Sequence, residues 1–274
     1  MRLASLDAPL LGLPVTVRAG TVVWEGTDLE RAAAVFVERP VFPWPQPQQV
    51  LTAASGVVSS RAESGDREAR SLVLSALLAA SQSVRIVNPP SCCHIAASPA
   101  IALERLRARG FAVHPWRLAP TPENTGGLIV IDAAGRDRWH APATPAPGDP
   151  SLVCEPPEGE VHTLLVAGDA VAGGVAHEAA SAWAAGIAGA TAHLAGIEVE
   201  SDLACAAAKA LDLDFCAVTL AITGVAPTIL MIEAGVDFLA WDDALGGRLA
   251  PCIATHLVSI ARNSTVRTSP GSPS

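Results

Sequence analysis

Two runs near the C-terminus constrain this chain most: Cys216-Ala-Val-Thr-Leu-Ala and Thr228-Ile-Leu-Met-Ile-Glu233. Both are short, apolar and built largely from β-forming residues, so both read as buried strands. An amphipathic helix over Leu203 to Leu211 precedes them and carries Lys209, and residues 247–262 contain the last helix. Residues 263–274 form a polar tail whose composition predicts disorder.

Residues 17–24 and 33–38 are expected strands, followed by a loop through Pro40, Pro43, Pro45 and Pro47. Leucines at 72, 74, 77 and 78 predict a helix over 67–81, and residues 84–88 a strand stopped by Pro89-Pro90. The clearest helix runs from Ser98 to Gly110. Ser98 is placed to cap it, Pro99 suits its first turn, and Gly110 supplies a left-handed exit. Ile101, Leu103 and Leu106 are its expected apolar contacts. Residues 128–132 and 133–139 read as two strands around Gly135, and residues 162–173 as a hairpin turning at Gly168-Asp169. Gly173-Gly174 reads as a bend after that strand.

Composition narrows the function. A net charge of -9 excludes the basic footprint that nucleic acid or an anionic membrane needs. The alanine-rich run 179–192 is about 14 residues, short of the roughly 20 that span a bilayer. Six cysteines without a CxxC pair suit free thiols in a reducing cytoplasm. Adjacent Cys92 and Cys93 make a poor metal cluster. No phosphate loop, GxSxG elbow, HExxH pair or dinucleotide GxGxxG is present.

What does recur is an order of elements. Asn88-Pro-Pro90 leads to a helix of the form LxRLRARG, then a Pro, two hairpins and a long helical stretch. The end is ALDLDFCAVTL followed by ILMIEAGVDF. This order resembles the ATP-grasp superfamily, in the branch of ligases that add glutamate to ribosomal proteins and to one-carbon cofactors. Those enzymes place Asn-Pro before a helix written xDKxxxxxxLxxxGxxxPxT and end with ALGLDxxGVDxx and xxxEVNxxPG. The resemblance covers residues 85–262. It implies an α/β protein of α+β lobes, with a small N-terminal α/β domain (1–88), an ATP-grasp-like domain (89–262) and the tail (263–274).

Measured against that pattern, charged positions are missing. The chain has one lysine, Lys209, beside 17 arginines. The family's first lysine falls on Pro99, eleven residues before Gly110, and residues 128–132 offer no second one. Its Asp-x-Arg reads Glu160-Val-His162, its Arg-x-Asn reads Ala184-Ala-Gly186, and its magnesium-binding aspartate is Thr219. Of the EVN pair, Glu233 persists and Gly235 replaces the asparagine. The resemblance therefore implies Glu233 as the remaining metal ligand, with Glu155 on the adenine or ribose side; Asp237, Asp242 and Asp243 stand close enough in sequence to compensate. It names no catalytic residue.

Two functions follow. One is a degenerate ATP-grasp homologue, a non-catalytic or regulatory subunit acting with an active ligase. The other is an active carboxylate–amine ligase, using ATP and Mg2+, that adds an amino acid such as glutamate to a protein or a one-carbon cofactor and relies on arginines such as Arg105, Arg136 and Arg138. Loss of about five charged ligands favours the first, because each transition-state contact removed costs a few kcal/mol. The small residues of 179–197 let another helix approach closely, which predicts a homo- or hetero-oligomer.

Overall fold

The computed structural model describes residues 15–18, 21–24, 27–28, 34–36, 84–96, 98–119, 129–132, 138–140, 151–179, 182–183, 192–193, 198–224, 226–234, 236 and 238–267. The chain divides into two compact units, residues 1–90 with 253–274 and residues 91–252. The helix expected over 67–81 and the loop over 40–47 lie outside the described residues.

In the first unit, β1 (Val15–Arg18) and β2 (Thr21–Trp24) pair antiparallel, and β3 (Thr27–Asp28) adds to β2. The single strand expected over 17–24 is thus a hairpin: Arg18 pairs with Thr21, so the chain reverses between them. β4 (Ala34–Phe36) and β5 (Arg85–Val87) pair in parallel.

The second unit opens with α1 (Pro90–Ala96), which takes up Cys92 and Cys93, and α2 (Pro99–Ala108). Gly110 turns left-handed at φ 86°, as its position past the helix end predicts. Ser98 occupies the cap position in an extended conformation, but its side chain makes no capping bond. The buried stripe of α2 is Pro99, Ala102, Leu103 and Leu106, a spacing of three, one and three that leaves Ile101 49% exposed. Ile101 is therefore not the core contact that its apolar character suggests.

A four-stranded antiparallel sheet follows, in the order β6-β9-β7-β8, from β6 (Arg117–Ala119), β7 (Ile129–Asp132), β8 (Arg138–His140) and β9 (Ser151–Cys154). β6 and β9 are additions to the sequence-based expectation. The larger sheet has the order β12-β11-β10-β13-β14. Its members are β10 (Glu160–Ala167), β11 (Ala170–His177), β12 (Ala192–His193), β13 (Phe215–Ile222) and β14 (Thr228–Glu233). β10 and β11 turn at Gly168-Asp169, with Gly168 at φ 68°. Gly173 and Gly174 lie inside β11 rather than at a bend after it. A Cβ at Gly173 would sit 3.0 Å from Leu245 Cδ2, so a side chain there would need that leucine to give way by a few tenths of an ångström.

β13 and β14 are adjacent antiparallel strands, as their sequences lead one to expect. Their register shifts once: Thr219 pairs with Met231 and Leu220 with Ile229, leaving Leu230 as the extra residue of a bulge. α3 (Glu198–Ala210) packs on β10, β11 and β13 through fully buried Ala204, Ala207 and Ala208. It begins five residues before the expected Leu203. α4 (Phe238–Ala244) leads to α5 (Leu249–Arg267). Asp242 Oδ1 accepts hydrogen bonds from the amides of Leu249 (2.8 Å) and Ala250 (3.1 Å), capping α5. Residues 263–267, expected in the tail, are helical, because no proline interrupts the chain between Pro251 and Pro270.

Candidate functional site between the two sheets

Side chains alternate along a strand, so the larger sheet has two distinct faces. One carries His162, Cys216, Val218 and Leu220 and is covered by α3. There His162 Nε2 lies 3.0 Å from Glu160 Oε2, and Nδ1 lies 3.9 Å from Glu200 Oε1 of the helix. His162 stands at the family's arginine position, and its imidazole is engaged with the helix side of the sheet.

The opposite face carries Val161, Thr163 and Leu165 on β10, Ala217 and Thr219 on β13, and Met231 and Glu233 on β14. It holds the positions that the resemblance connects with magnesium. Two carboxylates sharing an ion are best placed opposite each other across a strand pair, where Cβ atoms are about 5 Å apart. The residue opposite Thr219 is Met231, 1% exposed; Glu233 sits one pleat further on, opposite Ala217, and is half-buried. Thr219 is fully buried, and its hydroxyl lies 3.3 Å from that of Thr163. One hydroxyl donates to the other, so each has the other as a partner.

This face is covered from within the unit. Trp183, 1% exposed, shares a buried cluster with Leu152 and Cys154 of β9, Val161 of β10, and Leu230 and Met231 of β14. Leu245, just past α4, lies over Gly173. Cys154 belongs to this cluster, and burial, reinforced by neighbouring Glu155, raises its thiol pKa. It stays protonated near neutral pH and is no nucleophile there.

Glu155 starts the linker Glu155-Pro-Pro-Glu158 from β9 to β10. Its side chain is exposed, and its carbonyl accepts a hydrogen bond from His114 Nε2 at 2.9 Å. Pro156 and Pro157 have no N–H to offer. A purine edge, which needs a donor and an acceptor together, finds little here. The segment carrying His114 also covers the outer edge of β14: the amide of His114 donates to the Ile229 carbonyl and that of Ile229 to the Ala112 carbonyl, both at 2.9 Å. Trp116 Nε1 donates to the Leu230 carbonyl at 3.0 Å.

ATP with magnesium, which the resemblance in the sequence implies, asks for cations around the phosphates and several oxygen ligands around the metal. Every described lysine and arginine side chain is exposed: Arg85, Arg105, Arg107, Arg109, Arg117, Lys209, Arg248 and Arg262. Arg107 is paired with Glu104 on α2. Asp242 is spent on capping α5, Asp243 is exposed, and Pro99 holds the first turn of α2. Asp237, Gly235, residues 184–186 and the side chains of Arg136 and Arg138 lie outside the described residues. Among the described residues no group of three histidine, cysteine or acidic side chains is arranged to hold a metal. The described side chains of this face do not fit a magnesium triphosphate.

Sequence reasoning named Glu155 and Glu233 as site residues and Thr219 as the position of a missing aspartate; it did not single out Trp183, Met231, Thr163 or Leu245. A signal for Trp183 existed, since it is the one aromatic residue in the run 179–192. An isolated large ring among alanines is an anchor for packing.

No protein-family model and no curated protein matches the sequence. Solved structures do match the fold. The ATP-grasp ligase PsnB, complexed with a phosphomimetic variant of its minimal precursor, Mg and ADP, superposes with a TM-score of 0.63 at 16% identity, covering 90% of this chain and 86% of PsnB. The macrocyclase MdnC from Microcystis aeruginosa MRC, bound with precursor peptide MdnA, gives 0.64 at 14% identity, covering 93% and 90%. A Chryseobacterium gregarium RiPP-associated ATP-grasp ligase, in complex with ADP and a leader and core peptide, gives 0.62 at 15% identity, covering 90% and 84%. The arrangement of α+β lobes and antiparallel sheets described above is the ATP-grasp fold, and this chain has it.

Proposed function

We propose that this protein is a non-catalytic ATP-grasp homologue that acts with an active ligase, retaining the fold to hold a peptide or protein partner. The observation that carries this reading is the composition of the face between the sheets. Methionine stands opposite Thr219, the two threonines bond each other, and Trp183 shares a buried cluster with Val161 and Met231. A triphosphate placed there would lose hydration without gaining counter-charge, which costs several kcal/mol. PsnB, MdnC and the Chryseobacterium ligase were each solved with a peptide bound, which supports peptide as the partner chemistry. Six free cysteines suit a cytoplasmic setting, and among the described residues no helix is long and apolar enough to cross a membrane.

Calorimetry with Mg–ATP is the direct test. We expect no saturable heat up to millimolar nucleotide; a low-micromolar dissociation constant, about -8 kcal/mol, would overturn the reading. The second reading, an active carboxylate–amine ligase adding an amino acid such as glutamate, draws on the likeness to ligases bound with ADP and Mg and on the retained Glu233 as a metal ligand, with Glu155 beside the nucleoside. It predicts ATP turnover dependent on Glu233. Light scattering and co-purification from the native cell test the assembly, homo- or hetero-oligomeric, that the first reading requires.

A further inference from the structure

We propose that the space where the two sheets of the second unit meet is a slot for one planar bicyclic aromatic ring, and that the chain fills it with its own Trp183. The inference rests on the reading that Mg–ATP is not taken there. The walls come from three strands: Leu152 and Cys154 from β9, Val161 from β10, and Leu230 and Met231 from β14. None of these is more than 4% exposed, and none carries a charge. The ring itself comes from outside both sheets, where the Trp183 amide donates to the Ala179 carbonyl at 3.2 Å. Occupant and walls thus belong to different elements, so the ring can be deleted while the walls remain.

Protein interiors are close-packed and relax only partly when a large side chain is removed. A void lined by apolar groups stays dry and accepts an apolar ring of matching size. Indole is the ring removed with Trp183. Adenine has the same bicyclic outline but carries edge nitrogens that need partners, and the neighbouring donors of His114 and Trp116 are already committed to backbone carbonyls. The slot therefore selects a hydrocarbon-like ring over a purine.

The test compares the wild-type chain with Trp183→Ala in thermal melts, each with indole, adenosine or Mg–ATP. The alanine variant should melt below wild type, and indole should raise its midpoint saturably by about 3 °C or more while leaving wild type unchanged. Adenosine and Mg–ATP should raise neither. An alanine variant as stable as wild type, or an indole effect equal in both chains or absent from both, overturns the slot. Should the alanine variant not fold, 19F spectra of 5-fluorotryptophan-labelled wild type and Trp183→Phe give the answer. The signal missing from the Phe variant should resist broadening by a soluble paramagnetic chelate and should not move with Mg–ATP; a broadened signal overturns the proposal. Mg–ATP binding to wild type defeats the non-catalytic reading, whereas failed indole rescue without nucleotide binding defeats the slot alone.

Discussion

The two faces of the five-stranded sheet are built by different rules. Toward α3, a buried imidazole lies between Glu160 and Glu200, and the helix approaches through alanines. Toward the other sheet the described side chains are mostly aliphatic, sulfur-bearing or aromatic, the polar exceptions being the threonine pair, Thr228, buried His177 opposite Val161, and Glu233 at the margin. The comparison teaches that one sheet, with one strand order and register, can present two faces of different chemistry. Strand formation depends on backbone pairing and on β-forming residues, and Met, Val or Trp satisfy those as well as carboxylates and lysines do.

The most severe way to break the comparison is Met231→Glu, which places an acidic group opposite Thr219. On a dry face an unpaired carboxylate costs about 5 kcal/mol, so the variant should unfold at neutral pH and regain part of its stability in acid, where the group is neutral. Denaturant titration at pH 5 and pH 8 measures this. A folded variant newly stabilised by magnesium would show that the face remains a metal site in waiting.

Alkaline pH probes both faces together. Burial holds the Cys154 and Cys216 thiols protonated, and raises Cys93 to about 12 from the ordinary 9.0. Their folded pKa values lie above the unfolded ones, so their contribution is complete below about pH 9 and is lost as pH rises through the folded values. Each thiol should subtract at most about 1.4 kcal/mol per pH unit from stability above pH 9. Cys154→Ala and Cys216→Ala should each flatten that slope, one reporting on the face toward β9 and the other on the face toward α3.

Asp242→Ala separates a structural carboxylate from a metal ligand. Loss of the cap on α5 should cost about 1 kcal/mol in urea titrations, with no change in response to magnesium. The smallest effect concerns the threonine pair. Thr163→Val alone strands a buried hydroxyl and should cost about 1 kcal/mol, while the double change with Thr219→Val should return close to wild type. A double variant no better than the single one would mean that the hydroxyls serve something other than each other.

Much of the architecture was legible because it rests on local pattern. The strands Phe215–Ile222 and Thr228–Glu233, the helix ending at Gly110 and the turn at Gly168-Asp169 all announce themselves through β-branched runs or glycine geometry. The boundaries were less legible. Arg18 and Thr21 close a hairpin with no Asn-Gly or Asp-Gly between them, and β6 and β9, three and four residues long, are too short to show periodicity. Ile101 was misjudged because burial of α2 follows the stripe through Ala102 and Leu106, which identity alone does not reveal.

By itself, the sequence determined that the chain carries one lysine beside 17 arginines, that its net charge is -9, and that two apolar strands lie near its C-terminus. Those are properties of residue type and order, and no packing can add a charge the chain does not encode. Tertiary structure decided the rest: that Met231 rather than Glu233 faces Thr219, that Asp242 serves a helix, and that Trp183 occupies the meeting of the two sheets. The physical reason is that each of these depends on a register or contact between residues far apart in the chain. A bulge of a single residue is enough to decide which side chain faces which.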